Sequence, residues 1–413
     1  MERILDIKFL ANLLPIKYMR NRNVTTLWLA QLISSMGDAV YQLALIWLIL
    51  DLTGSTIITG LVAMSAYLPA MLFGLLGGVF ADKYNRLTIM HVANISQSLT
   101  VMIIPLTLYY GTADALLIGI LAFFRSSFGT MFPPALYAFI PEVVPEDQLT
   151  KVNSVIATSS QLAYLVGPAI AGILLGIISL NQLFIFDALS FLLASILLLF
   201  IVKPKGRPTQ ETHATLQHLK SGLHYITKHR SIGYLIILTI FHNIFIMGPA
   251  IVGMPIFVKT VLGGTVSDFA FVEAGMAGGM LIGSWFMFKS SQRLSNGVLL
   301  LLALIWDGIT YSFFFWVPSV PMAIVMIFIH GLGIPVITIS RTSIIQRNTP
   351  NKFHGRLFSM VHLAVVGMTA MSSALVGVLA AVISIRTLFL IFGLGAVIIG
   401  LIGISSKQLR RLN

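Results

Sequence analysis

Twelve apolar stretches, each close to the ~20 residues that cross a bilayer as a helix, run along the chain. They lie at about 24–50, 57–80, 87–109, 114–140, 152–178, 183–202, 232–258, 268–288, 297–317, 321–345, 357–383 and 386–405. This pattern leaves few folds open. In hydrocarbon no water satisfies a free amide, so each run is expected to bond within itself as a helix. The expected fold is an all-α membrane protein of twelve transmembrane helices. A soluble alternative fails on charge, because charged residues make up 10% of the 413, against ~25% in soluble domains. Cysteine is absent, which excludes disulfides and thiolate chemistry and leaves the redox compartment unmarked.

The polar intervals divide the chain into an N-terminal amphipathic segment (1–23), a six-helix half (24–202), a linker (203–231), a second six-helix half (232–405) and a tail (406–413). The first segment has charges on both sides of short apolar patches and no small-residue cleavage site. A surface helix is expected there, not a cleaved signal. In the linker, His213, His218, His224 and His229 share neither one helical face nor a ligand spacing, so no metal and no other cofactor is expected. Charge sets the orientation. Of 26 Lys and Arg, 22 fall in the termini, the linker and the loops on their side, and Lys259 and Arg386 lie opposite. By the positive-inside rule the termini and the linker are cytoplasmic. That placement accounts for the net charge of +12 through contact with lipid headgroups and without nucleic acid.

The halves repeat. "FIPEVVPEDQLTKVNSV" and "IIQRNTPNKFHGRLFSM" align with Pro145 on Pro350, an offset of 205 residues. The same offset places Arg125 on His330, and Gly74 and Gly78 on Gly279 and Gly283. Gly-xxx-Gly pairs let helices approach closely. Repeated halves of this kind point to a secondary transporter with its site between them near the midplane.

Three motifs carry a family resemblance. "GGVFADKYNRLTIM" holds Gly78, Asp82, Lys83 and Arg86 and resembles the loop motif G-x-x-x-D-[RK]-x-G-[RK] of the major facilitator superfamily. Asn85 replaces the second glycine, and asparagine tolerates the positive φ of a tight turn. "LAFFRSSFG", with Leu121, Arg125 and Gly129, resembles a motif of that superfamily's proton-driven drug exporters. "AYLVGPAIAGILLG" resembles its antiporter motif through Gly167, Pro168 and Gly172, with Ala163 and Ala171 in place of glycines. "ISSMGDAVYQLALIWLILDLTGS" and "LFIFDALSFLLASILLL" are similar to the branch of macrolide efflux proteins and the enterobactin exporter. The resemblance covers nearly the whole chain. It implies the major facilitator fold with two six-helix pseudo-repeats, in a monomer of the bacterial inner membrane. The activity implied is proton-coupled export of an amphipathic drug or siderophore by alternating access, with protons and lipids as the other partners. A lipid or lysophospholipid flippase without proton coupling is the alternative. An enzyme or a non-transporting sensor is more remote, since H-x-x-x-D, H-E-x-x-H and P-loop signatures are missing. The second half has "FKSSQR" where Asp82 would recur, so an asymmetric gate is expected.

The charged residues inside spans are the site candidates, because burying one unpaired in hydrocarbon costs at least ~3 kcal/mol. Arg125 is either scaffolding bonded to carbonyls or the polar centre of a cavity. Asp38 lies near mid-bilayer and is the first candidate for proton coupling, with Arg125, Glu273 and Asp307. Desolvation favours a neutral carboxyl and a guanidinium favours a charged one, and that opposition suits a group that binds and releases a proton. Asp38, Arg125, His242 and His330 are the candidates for the substrate cavity. Asp187 and Glu273 are expected near watered outer helix ends, in structural or solvated roles. Gly78, Asp82, Lys83, Arg86, Glu142, Arg347 and Arg356 are the candidates for a cytoplasmic gate.

Overall fold

A computed structural model describes residues 21–202, 223–290 and 294–412. The segment expected to be amphipathic (1–23), apart from its last residues, and most of the linker lie outside the described residues, as do His213 and His218. Twelve helices are long and apolar enough to cross a membrane, as the sequence leads one to expect. In chain order they are α1 (Arg22–Thr53), α2 (Thr56–Lys83), α3 (Arg86–Tyr109), α4 (Ala115–Val143), α5 (Leu149–Leu175) and α6 (Leu180–Leu199). After the linker come α7 (Arg230–Val261), α8 (Val266–Ser290), α9 (Asn296–Trp316), α10 (Val320–Asn348), α11 (Asn351–Leu379) and α12 (Ile385–Ser405). The protein is a multi-pass membrane protein.

Polar residues at the helix ends satisfy the first free amides. Asn21, Ser55, Asp114, Ser295 and Ser384 each accept a bond from a backbone N–H at the start of a helix. Gly54, at φ 62°, closes α1 in the left-handed conformation and returns its N–H to Leu50. The α2–α3 turn is built differently from expectation. Asn85 has φ −61° and caps α3 by accepting from Thr88, so the missing glycine is answered by a cap and not by a positive φ. Both α4 and α10 are interrupted, at Thr130–Met131 and Leu332–Gly333. Each break precedes prolines (Pro133, Pro134; Pro335), which lack an N–H and crowd the preceding turn.

Three apolar cores show how the halves meet. One is built within the first half from Val24, Met90, Phe139 and Leu198 among others. A second is built within the second half around Leu235, Leu304, Ile345 and Leu409. Both lie at the end of the bundle that carries the termini. There Asn23 exchanges two hydrogen bonds with Val202, and Leu412 accepts from the N–H of Gly297. The third core draws on both halves, including Ile49, Phe184, Phe257 and Phe389, and lies at the far end. The halves are therefore joined at the far end and parted at the terminal end. Lys259 of α7 pairs with Asp51 of α1 at 2.6 Å across the far end.

α2 and α11 run antiparallel along this seam and record the divergence. A Cβ on Gly60 would sit 2.8 Å from the Cα of Gly377. One on Gly367 would meet Met71 Sδ at 2.9 Å. Beyond that, Gly74, Gly78 and Gly355 have nothing within 4 Å. Close packing of Gly-xxx-Gly thus holds in the second half, where Gly279 and Gly283 abut the carbonyls of Phe328 and Leu332 on α10. It fails for Gly74, which lines the opening between the halves, and for Gly78 one turn on. Gly377→Leu should force the far end apart. Spin labels at Thr53 and Leu262 should then move further from each other than in the parent chain, and an unchanged distance would contradict the crossing.

Candidate functional site

Arg125 lies in α4, four residues before its first segment ends at Gly129. Its Nη2 donates to Asp38 Oδ1 of α1 at 2.5 Å and to Asp187 Oδ2 of α6 at 3.2 Å. The guanidinium lies 3.8 Å from the ring centroid of Tyr41 and 5.3 Å from that of Phe191. These aromatic faces add cation–π attraction and keep water off one side. The close approach depends on Gly37, where a Cβ would collide with Ser190 and Asp187. On the other side of α1, Gly167 of α5 abuts Ala39, and Gly172 contacts Ala270 of α8. Ala163 and Ala171 are buried. Pro168 lines the small cavity beside Arg125. The five antiporter-motif residues thus pack α5 between α1 and α8, next to the charge centre.

The two carboxylates differ in exposure. Asp187 has 0% of its side chain exposed, whereas Asp38 has 41%. The expectation that Asp187 occupies a watered helix end is overturned: it is the buried partner of Arg125. Asp38 faces a cavity of about 900 Å³ lined also by Gln42, Asn94, Gln97 and Tyr164 of the first half and His362 of α11. One positive charge therefore serves two acids, only one of which the cavity reaches.

The second half holds its own polar centre. Asp307 of α9 bonds through Oδ2 to Nε2 of His242 on α7 at 2.8 Å, and lies 3.2 Å through Oδ1 from Nδ1 of His330 on α10. Thr310 Oγ1 is 2.9 Å from the same His330 nitrogen. All three charged or titratable side chains are buried. So His242, Asp307 and His330 are brought together, while Glu273 lines the same cavity without bonding to them. Glu273, the eighth residue of α8, is partly exposed. It lines the seam between the halves, beside Tyr67, Tyr164 and Gln42, with no hydrogen bond or ion pair among the described residues.

At the terminal end Arg86 bonds to Glu142 and to the carbonyl of Ala138. Both partners belong to the first half. Among the described residues no ion pair joins Arg86, Glu142, Lys83, Arg347 or Arg356 across the opening. Arg356 instead lies 5.3 Å from the ring of Phe353. The side chain of Asp82 lies outside the described residues. Within the described residues no group of three or more His, Asp or Glu side chains is arranged to hold a metal ion.

Comparison with known proteins agrees with this architecture. The sequence profile of the family described as transmembrane secretion effector matches residues 14–412. Macrolide efflux protein A of Streptococcus pyogenes is 26% identical over 340 residues, covering 81% of this chain and 84% of that protein. Multidrug efflux pump Tap of Mycolicibacterium fortuitum is 24% identical over 396 residues, covering 93% and 95%. Among solved structures, a bacterial homologue of the iron transporter ferroportin in its inward-facing state superposes with a TM-score of 0.74 at 14% identity, over 93% of this chain and 98% of that one. At that identity the likeness is one of fold.

Proposed function

Because this chain belongs to the transmembrane secretion effector family, within the major facilitator superfamily of transporters, we propose that it is a proton-coupled exporter of amphipathic small molecules. Secondary transport of small molecules by alternating access follows from family and fold, which point to a transporter and not an enzyme. Coupling and substrate class are the further step. The observation that carries them is the unequal pair on Arg125. With both acids ionised, the centre holds one uncompensated negative charge. A proton on Asp38, or a substrate group that takes its place, removes that charge. Asp187, sealed from the cavity, stays with Arg125 in either case. Proton and substrate then compete at Asp38, which is the requirement for exchange.

Several features support an amphipathic cargo. The cavity joins polar groups near Asp38 to apolar and aromatic walls, and two relatives are described as macrolide and multidrug efflux proteins. In this reading the terminal end is cytoplasmic, as its positive charge suggests, and the monomer is drawn open to the cytoplasm. The alternate state would close the α2–α11 seam over Gly74, Gly78 and Gly355, bringing Asp82 towards Arg356 and the Arg86–Glu142 pair towards Arg347. The Asp307–His242–His330 centre, with Glu273 at the seam, would be a second place to hold a proton. The test is macrolide uptake into proteoliposomes with an acidic interior. Accumulation above that in protein-free liposomes, and collapsed by a protonophore, is expected. Uptake indifferent to the pH gradient, or lysophospholipid movement in its place, would overturn the reading.

A further inference from the structure

Beside the Asp307 centre lies a cavity of about 280 Å³, walled by the second half and by Tyr164 of the first, and Arg341 lines it. On α10 the lining residues His330, Ile334, Ile337, Thr338 and Arg341 fall at helical spacing, so one face of that helix looks into the space. The other walls are largely apolar, from Leu235, Leu238 and Ile246 of α7, Met280 of α8, and Leu300 and Leu304 of α9. Arg341 makes no hydrogen bond or ion pair among the described residues. The contrast with Arg125 is direct: one intramembrane arginine has two carboxylates and the other has none. Nor does an acid lining the cavity pair with it: Asp307 bonds to His242 and lies 3.2 Å from His330, and Glu273, also on the cavity wall, makes no ion pair among the described residues.

An unpaired guanidinium at membrane depth is costly, and the cost falls when an anion arrives. Arginine's planar fork suits a carboxylate or a phosphate, which it can hold through two parallel bonds. We propose that this cavity is a binding site for an amphiphile with a single anionic group, which docks on Arg341 while its apolar body lies between α7, α8 and α9. The site deepens the exporter reading by naming a charge class of ligand for the second half. It rests on that reading for its purpose but not for its test, which measures binding without flux.

The probes are octanoate, octylammonium and octanol, titrated calorimetrically into the full chain in phosphatidylcholine nanodiscs. Octanoate should bind the parent chain, and Arg341→Gln should weaken it about ten- to a hundredfold, the range for losing a charged hydrogen-bond partner. Arg341→Lys should lose less. Octanol affinity should be the same in all three chains, and octylammonium should not weaken in Arg341→Gln. Thermal stability of Arg341→Gln should equal or exceed that of the parent, because an unpaired charge has been removed. Phosphatidylglycerol added to the nanodiscs distinguishes the source of the anion. If it displaces octanoate in the parent chain, the occupant is a lipid headgroup; if it does not, the occupant is a free acid. Equal octanoate affinity in the parent and Arg341→Gln, a matching loss for octanol, or a fall in stability would overturn the site. None of these outcomes touches gradient-driven flux, so failure here and failure of the exporter reading are separable.

Discussion

Arg125→Ala should abolish transport and also cost about 3–5 kcal/mol of stability, the penalty for breaking a buried ion pair from one side. The reason for the second loss is Asp187, which is wholly buried and has Arg125 as its charged partner. Adding Asp187→Asn to that variant removes the stranded charge, and much of the stability should return while transport stays absent. Arg125→Lys should fail in transport as well, since a point charge cannot reproduce a planar fork lying on Tyr41. Thermal unfolding in detergent and macrolide flux in proteoliposomes check the two effects separately. A single Arg125→Ala variant as stable as the parent would show that Asp187 does not depend on the guanidinium.

Asp38→Asn has a different expected signature. Asparagine keeps the size and a hydrogen-bonding oxygen for Arg125, but it cannot take up or release a proton. Gradient-driven accumulation should fall to the level of protein-free liposomes. Substrate-for-substrate exchange should persist, because that half-reaction moves no proton. The chain should fold normally, since Asp38 is the exposed member of the pair and its loss leaves Asp187 on Arg125. Full gradient-driven accumulation in Asp38→Asn would make Asp38 structural and move attention to Glu273 and then Asp307.

Hydropathy alone exposes the twelve spans, because each must be continuous and apolar whatever its neighbours are. It does not report which face of a helix meets which neighbour, and so it names Asp187 without its partner Arg125. A depth count holds the missing signal. α4 and α6 cross in the same direction, Arg125 is the eleventh residue of one and Asp187 the eighth of the other. At ~1.5 Å per residue they differ in depth by about one helical turn, within an arginine's reach. The repeat offset pairs Arg125 with His330 but transfers their partners only in part. α1 and α7 are counterparts, and the offset places Asp38 on Asn243 beside His242, but the buried acid comes from α6 in the first half and from α9 in the second, so the alignment transfers one partner helix and not the other. Gly74 and Gly78 share their spacing with Gly279 and Gly283 yet meet nothing. Gly279 and Gly283 pack on α10 inside their own half, and sequence spacing does not say which neighbour a glycine face meets.

The competition between proton and substrate at Asp38 is tested most directly by proton release. The purified chain, weakly buffered near neutral pH with an indicator dye, is mixed with a macrolide at saturating concentration. The parent chain should release protons on binding, and Asp38→Asn should bind the same macrolide without releasing any. Binding without proton release in the parent chain, or equal release in both chains, would contradict the assignment of the exchangeable proton to Asp38 beside Arg125.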